Sequence, residues 1–377
     1  MKIGFDAKRV FFNRSGLGNY GRSTVELLAR YAPENECVLF TPHPGNPMGF
    51  AVPDGVRTIT PVSGLNRSLG SVWRSYNMSG SLLRQGIDLY HGLSNELPAD
   101  IYRAAEKGVR SVVTLHDIIF VHFPELYKPF DRYLYTRKYK SSCVRADRVI
   151  AISRQTRDDL VNHWNVPEEK IDVVYQGCNP IFYDEATSEK RAEVRERYHL
   201  PKHYILSVGT IEPRKNLMLT VQAMAEGRLD ADLVACGRST PYVKEIMDYA
   251  LRHGIANRVY LIHDVSFADL PAVYQMADVL VYVSFYEGFG IPILEGLNSR
   301  IPVITTRGGV FPETGGDACC YVDPHSTEEM VVALEKTLND SDLRSGMIER
   351  GRAYARQFHE EHIAANLTDV YRRTITG

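Results

Sequence analysis

The chain has little net charge, no long apolar run and no cysteine pattern, and each absence removes a class of function. Its 377 residues carry 44 Lys and Arg against 46 Asp and Glu, a formal net charge of −2. No global field therefore draws it to nucleic acid or to an anionic membrane, and any basic patch must be local. The longest apolar stretches, such as VLVYVSF at 279–285, are far too short to span a bilayer. The opening MKIGFDAKRV has no apolar signal core and reads as a strand, so secretion is not expected. The six cysteines (Cys37, Cys143, Cys178, Cys236, Cys319, Cys320) form no CxxC pair and no His/Cys cluster at zinc spacing. Reduced thiols in a cytoplasmic protein are expected, with no metal centre. Low-complexity segments and short-period repeats are missing too. What is present is 44% hydrophobic and 24% charged residues, the balance of a soluble globular protein. The length suits two domains of ordinary size.

Short β-rich runs alternate with longer amphipathic stretches, the pattern of parallel sheets flanked by helices. The first half predicts strands at 2–6, 37–41, 87–91, 111–117, 148–153 and 172–176. Helices are predicted around 18–30, 68–85, 127–145 and 154–163. GCNPIFYD, from Gly177, lacks periodicity and reads as a linker. The cycle restarts at YILSVGT (204–210), followed by strands at 231–236, 258–262, 278–284 and 302–306, and closes with helices from about 326 to 375. A restart favours two similar α/β domains over one large sheet, and a cleft between such domains is a natural ligand site.

FYEGFGIPILEG (285–296) directly follows the strand DVLVYVS. Gly288 and Gly290 flank Phe289 and let backbone amides approach a ligand, and Pro292 suits the first turn of a helix. A helix start aimed at that loop attracts anions. Glu287 before the turn and Glu295 one turn inside would accept hydrogen bonds from hydroxyls, so phosphates and a sugar together fit the site. VGTIEPRKN (208–216) is a strand ending in Gly209 and a loop with adjacent cations, Arg214 and Lys215, and Asn216 placed to cap the next helix. Two cations beside a helix start neutralise a diphosphate without a metal, and no DxD-like pair stands where a metal would bridge one. GLGNYGR (16–22) contains a literal G-x-G-x-x-G (Gly16, Gly18, Gly21), but its first glycine lies well past the strand KIGFD, and CVLFTPHP lacks the acidic residue that would hold an NAD ribose. A glycine loop opening toward the opposite domain, onto donor phosphate or acceptor, fits better. His116 and Asp117 end the strand SVVTL and should emerge at the ligand side, with His91 and Ser153 at the ends of two other strands as weaker acceptor-side candidates.

EGFGIPILEG, with two glutamates separated by seven residues, resembles the signature of glycosyltransferase family 4, whose fold is GT-B. The resemblance extends to VGTIEPRKN, to GLGNYGR and to the HD of VVTLHD, so it touches both halves of the chain. Its nearest relatives in kind are bacterial enzymes that build cell-surface polysaccharide, several of them mannosyltransferases using GDP-mannose. The resemblance implies that Arg214 and Lys215 hold the donor diphosphate and stabilise the leaving nucleoside diphosphate. It implies that Glu295 binds the ribose hydroxyls and Glu287 the donor sugar, with the amides of Phe289, Gly290 and Ile291 nearby, and that His116 contacts the sugar near the reaction centre. Base contacts are expected from backbone around His263–Val265, and retention of anomeric configuration without a divalent metal is implied.

The expectation is therefore an α/β protein of GT-B class, two facing Rossmann-like domains across an interdomain cleft. The domains are 1–176, with the last helix (about 360–377) packing back on it, and 201–359, joined by a linker at 177–200. The reaction is transfer of a hexose from a nucleoside diphosphate sugar to a glycan or lipid-linked acceptor, with His116, Glu287, Arg214 and Lys215 catalytic. Gly16, Gly18, Gly209, Val265, Gly288 and Glu295 complete the donor contacts. A UDP-sugar transferase of the same fold, a sugar-nucleotide epimerase, an NAD-dependent oxidoreductase and a non-catalytic nucleotide-sugar binder are the alternatives. The stretch 127–148 mixes seven cations (Lys128, Arg132, Arg137, Lys138, Lys140, Arg145, Arg148) with aromatics, and Trp73 with Arg74 marks a second such stretch. These read either as solvated helix faces or as an acceptor or membrane-facing surface at the cytoplasmic membrane.

Overall fold

Short β-branched and aliphatic runs, buried along nearly their whole length in the central strands, form the sheets, because a parallel sheet covered on both faces has no polar side. A computed structural model describes residues 1–62 and 69–377. The first half supplies β1 (Lys2–Asp6), β2 (Glu36–Phe40), β3 (Arg57–Ile59), β4 (Leu89–Gly92), β5 (Arg110–Leu115), β6 (Arg148–Ala151) and β7 (Ile171–Val173). Among the described residues these make one parallel sheet ordered β3-β2-β1-β4-β5-β6-β7, with Phe5 paired to Leu39 on one side and His91 on the other. The second half supplies β8 (Tyr204–Val208), β9 (Asp232–Cys236), β10 (Val259–Ile262), β11 (Val279–Tyr282), β12 (Val303–Thr306) and β13 (Cys320–Val322), ordered β10-β9-β8-β11-β12-β13. Both sheets are Rossmann-like. Strand order reverses between β1 and β4 in one and between β8 and β11 in the other, and the loops at these switch points splay apart to leave room for a ligand.

The chain divides into two units, Met1–Gln176 with Glu360–Gly377, and Gly177–His359. In the first, adjacent β5 residues Val112 and Val113 enter separate apolar clusters, one on each face of the sheet. The helix Glu360–Thr376 buries Ile363, Leu367, Val370 and Tyr371 in the same cluster as Val25 and Leu28 of the helix Gly16–Tyr31. In the second, Ile205, Leu233, Val279 and Ile304 form the strand contribution to one cluster.

Several elements depart from the sequence expectation. The three-residue strands β3 and β13 were not foreseen, being too short to show a period. The stretch 68–85, whose first residue lies outside the described residues, is two helices, Gly70–Tyr76 and Ser79–Arg84. They break where the buried carboxylate of Asp100 accepts the amides of Met78 and Ser79 at 3.3 and 3.0 Å. Residues 177–200 carry a helix, Ser188–Tyr198, that belongs to the second unit. Asp269, 1% exposed, anchors it by accepting from Lys190 and Arg197, each at 2.6 Å. The glycines of GLGNYGR sit in the first turns of the helix Gly16–Tyr31 rather than in an open loop. A β-carbon on Gly18 would run into the Asn13 carbonyl, so that glycine permits close packing of chain on chain.

Candidate active site

In the second unit, β8 and β11 are neighbours, so the loops leaving their carboxyl ends meet. The first runs from Gly209, whose φ of +133° favours glycine, into a 3-10 turn at Pro213–Lys215. The second runs from Val283 to Gly290 and opens the helix Ile291–Asn298, with Gly290 at φ +104° and Pro292 in its first turn. The amide of Phe285 donates to the Arg214 carbonyl at 2.9 Å, tying the loops together. Asn216, expected to cap the following helix, makes no side-chain cap bond. It adopts a left-handed conformation and its side-chain Nδ2 donates to the Pro324 carbonyl at 2.8 Å instead.

The centre of this arrangement is one carboxylate shared by two cations. Glu287 Oε1 lies 2.8 Å from Arg214 Nη1 and 2.5 Å from Lys215 Nζ. Arg214 also donates to the Tyr286 carbonyl at 2.6 Å and pairs with Glu212 at 2.7 Å. Lys215 donates to the Tyr282 hydroxyl at 2.8 Å. Burial pushes the Glu287 carboxyl up, but Lys215 and then Arg214 outweigh it, and the group stays below its ordinary range, ionised at neutral pH. Desolvation opposes the Arg214 charge, and Glu287 and Glu212 outweigh it. Glu295, on the helix Ile291–Asn298, is buried apart from this cluster and accepts from the Tyr274 hydroxyl at 2.5 Å. Burial, only partly offset by that hydrogen bond, raises Glu295 to about 7. The loop at His263–Val265 leaves β10 at the same carboxyl edge, with His263 Nδ1 2.9 Å from the Gly237 carbonyl. Phe289 packs its ring on Phe358 in the interior, which holds the Phe289–Ile291 backbone at the helix start.

The first unit gathers the other sequence candidates. His116, 5% exposed, donates Nε2–H to the Leu93 carbonyl at 2.9 Å. Burial lowers it to about 4, so at neutral pH the ring is uncharged and offers Nδ1 as its acceptor. Tyr20 of the glycine motif meets it edge to face at 4.6 Å between centroids and bonds the Thr114 hydroxyl at 3.1 Å. His91 bridges Thr114 and the Tyr371 hydroxyl, both at 2.7 Å, and burial lowers it to about 3. Gly16 and Gly18 lie at the start of the helix that carries Tyr20. Ser153 caps the helix Arg154–Trp164 through the Thr156 amide. Asp117 accepts from the Ile119 amide at 3.1 Å. At the β1–β4 switch point a cavity of about 340 Å³ is lined by Lys8, Arg9, Arg74, Glu96 and Lys138. Arg74 Nε donates to both oxygens of buried Asp6 at 2.9 Å and Nη1 reaches Glu96 at 3.0 Å. Trp73 beside it is core, 1% exposed, so neither residue belongs to a surface patch.

Residues 190–354 match the family described as Glycosyl transferases group 1, and residues 20–181 match Glycosyltransferase Family 4. The chain is 30% identical to O-antigen chain mannosyltransferase B of Escherichia coli, over 75% of its own length and 74% of that protein's. It belongs to glycosyltransferase family 4. The chain is also 30% identical to O-antigen chain mannosyltransferase RfbU of Salmonella typhimurium, over 59% of each. Among solved structures, sucrose-phosphate synthase of Thermosynechococcus elongatus superposes at TM-score 0.77 with 20% identity, covering 99% of this chain and 98% of that one. Anabaena HepE, solved with UDP and glucose, gives 0.73 with 17% identity over 99% and 100%. The two Rossmann-like sheets are thus those of the GT-B class, and the protein is a hexosyltransferase.

Sequence reasoning named Arg214, Lys215, Glu287 and Glu295 but missed Tyr282, Tyr274, Glu212 and Tyr20. Tyr282 was legible as a hydroxyl near the carboxyl end of its apolar strand, and Tyr20 stood inside the quoted glycine motif. Glu295 sets a pH dependence. Its folded value of about 7 lies above the ordinary 4.5, so the folded state holds the extra proton. The contribution of Glu295 to stability is fully present below about 4.5 and is lost as pH rises through about 7, by on the order of 3 kcal/mol. Urea titrations from pH 5 to 8 should show this loss in the wild type and its absence in Glu295→Gln.

Proposed function

We propose that this chain is a retaining transferase that moves a hexose from a nucleoside diphosphate sugar to a glycan or lipid-linked acceptor in cell-surface polysaccharide assembly. The observation that carries the reading is the Glu287 carboxylate held by Arg214 and Lys215. These are partly buried cations whose counter-ion an incoming diphosphate would replace, freeing Glu287 for hydroxyls of the donor sugar. The amides at the Phe289–Ile291 helix start add fixed positive potential. Charge on the departing diphosphate is then stabilised by the protein's own cations, without a divalent metal, and Glu295 takes the ribose hydroxyls. The departing phosphate accepts the acceptor's proton on the face it leaves, which retains configuration. His116, neutral and fixed through Nε2, serves the sugar as an acceptor at Nδ1 rather than as an acid.

Mannose from GDP-mannose is the favoured donor, because two relatives at 30% identity are mannosyltransferases. A UDP-sugar is the second reading, since HepE, a fold relative, was solved with UDP-glucose. For the acceptor, the β1–β4 cavity sets four cations against Asp6 and Glu96, an excess that suits a phosphate of a lipid-linked chain. The helix Pro129–Arg145 supports a membrane approach. Its Tyr135 and Tyr139 stack inward, Arg148 beyond it pairs with Asp172, but Phe130, Tyr133 and Val144 are exposed beside Arg137 and Lys140. Among the described residues no helix is long and apolar enough to cross a membrane, so any attachment there would be peripheral.

Arg214→Ala and Lys215→Ala should each reduce turnover roughly 100- to 1000-fold, the usual loss of one preorganised charge partner. Glu287→Ala should impair transfer yet bind free GDP or UDP at least as tightly as wild type, because the competing anion is gone. Weaker nucleotide binding in Glu287→Ala, by calorimetry, would remove the counter-ion role.

Arg137→Glu/Lys140→Glu should abolish co-sedimentation with anionic vesicles at low salt, each lost cation being worth about 1 kcal/mol at such a surface. Equal binding by wild type and variant, or none by either, would leave a water-soluble acceptor as the better reading.

A further inference from the structure

Outside the residues assigned to sugar transfer, three side chains with metal-ligand chemistry converge in the first unit. Asp159 and His163 stand four residues apart on the helix Arg154–Trp164, which places them on one face. His122 closes the short helix Ile119–His122 that follows β5. Its Nε2 lies 2.9 Å from Asp159 Oδ1, and its ring meets that of His163 edge to face at 5.1 Å between centroids. One ligand atom from each residue falls within 4.8 Å of the other two, and both histidines are exposed.

We propose that His122, Asp159 and His163 bind one divalent transition-metal ion, Zn²⁺ or its close relatives, with solvent completing the coordination. Two imidazoles and one carboxylate form a mixed nitrogen and oxygen set. That set suits Zn²⁺, Co²⁺, Ni²⁺ or Cu²⁺, whereas Mg²⁺ and Ca²⁺ take oxygen almost alone. Around a tetrahedral ion with bonds of about 2.1 Å, ligand atoms stand roughly 3.4 Å apart. The His122–Asp159 separation of 2.9 Å and the 4.8 Å within which all three atoms lie are compatible with that value, so small rotations of exposed rings close the site. The hydrogen between His122 Nε2 and Asp159 gives way to the ion, and the neutral ring carries its proton on Nδ1. The Asp159 charge and the negative end of the helix, one residue past His163, both favour a cation there.

The ion would have a definite mechanical effect. Thr156, one turn before Asp159 on the same face, already donates its hydroxyl to the His116 carbonyl at 3.2 Å. A metal at His122 and His163 adds a second clamp between the segment after β5 and the helix after β6. It would stiffen the stretch that carries His116 and Asp117 without touching donor atoms.

The test is equilibrium dialysis of chelator-treated protein against Zn²⁺, with Co²⁺ as the visible-spectrum probe. Wild type should take up one equivalent, show the absorption of low-coordinate Co²⁺, and gain a few degrees in Tm. His163→Ala and Asp159→Asn should fold, as judged by circular dichroism, and bind at least tenfold more weakly. No uptake by wild type, or uptake by the variants with wild-type affinity, would overturn the site. Neither readout depends on sugar transfer, so a failed transfer assay and a failed metal site are told apart.

Discussion

Burying two cations is costly unless each meets an anion, and in the second unit one carboxylate meets both. Glu287 lets Arg214 and Lys215 stay charged at the sheet's switch point in the absence of ligand. The neighbouring loops are built around that need. The Tyr286 carbonyl and the Tyr282 hydroxyl take further hydrogen bonds from the same cations, and the Phe285 amide fastens the β11 loop to the Arg214 carbonyl. A site held this way is already assembled before substrate arrives. In the proposed function the donor supplies the anion that Glu287 supplies in its absence, so reorganisation on binding is confined largely to one side chain.

Two glutamates of one motif thus have opposite electrostatic fates. Glu287 sits among cations and remains ionised, whereas Glu295, one turn into the helix and facing Tyr274, holds its proton up to about 7. Seven intervening residues separate a counter-ion from a nearly neutral acid because the helix start turns them toward different surroundings. The first unit works differently. Two of its histidines are uncharged: His91 is tied by hydrogen bonds to the Thr114 and Tyr371 hydroxyls, and His116 is held by the Leu93 carbonyl and by the edge of Tyr20. Charge there is concentrated instead in the cavity around Arg74.

The sheets were legible in the sequence because fully buried parallel strands leave continuous apolar runs, and the restart at Tyr204 revealed the second one. The glycine and cation motifs marked the loops after β8 and β11 for the same reason that glycines and a proline mark any tight strand-to-helix turn. What the sequence concealed was pairing at a distance. Lys215 and Tyr282 are 67 residues apart, and Arg214 and Glu287 are 73 apart, so nothing local joins them. The helix at Ser188–Tyr198 was hidden by its polar face, since its anchor is the distant Asp269. The glycines of GLGNYGR looked like a loop, but at Gly18 helix packing against the Asn13 carbonyl needs the same small residue.

The central claim is that Arg214 and Lys215 exist to hold the second phosphate of a nucleotide. Calorimetry with matched nucleoside mono- and diphosphates, for guanosine and for uridine, tests it directly. Wild type should bind the preferred diphosphate at least tenfold more tightly than its monophosphate, and Arg214→Ala/Lys215→Ala should bring the two together. An unchanged preference in the double variant, or no preference in wild type, would contradict the account.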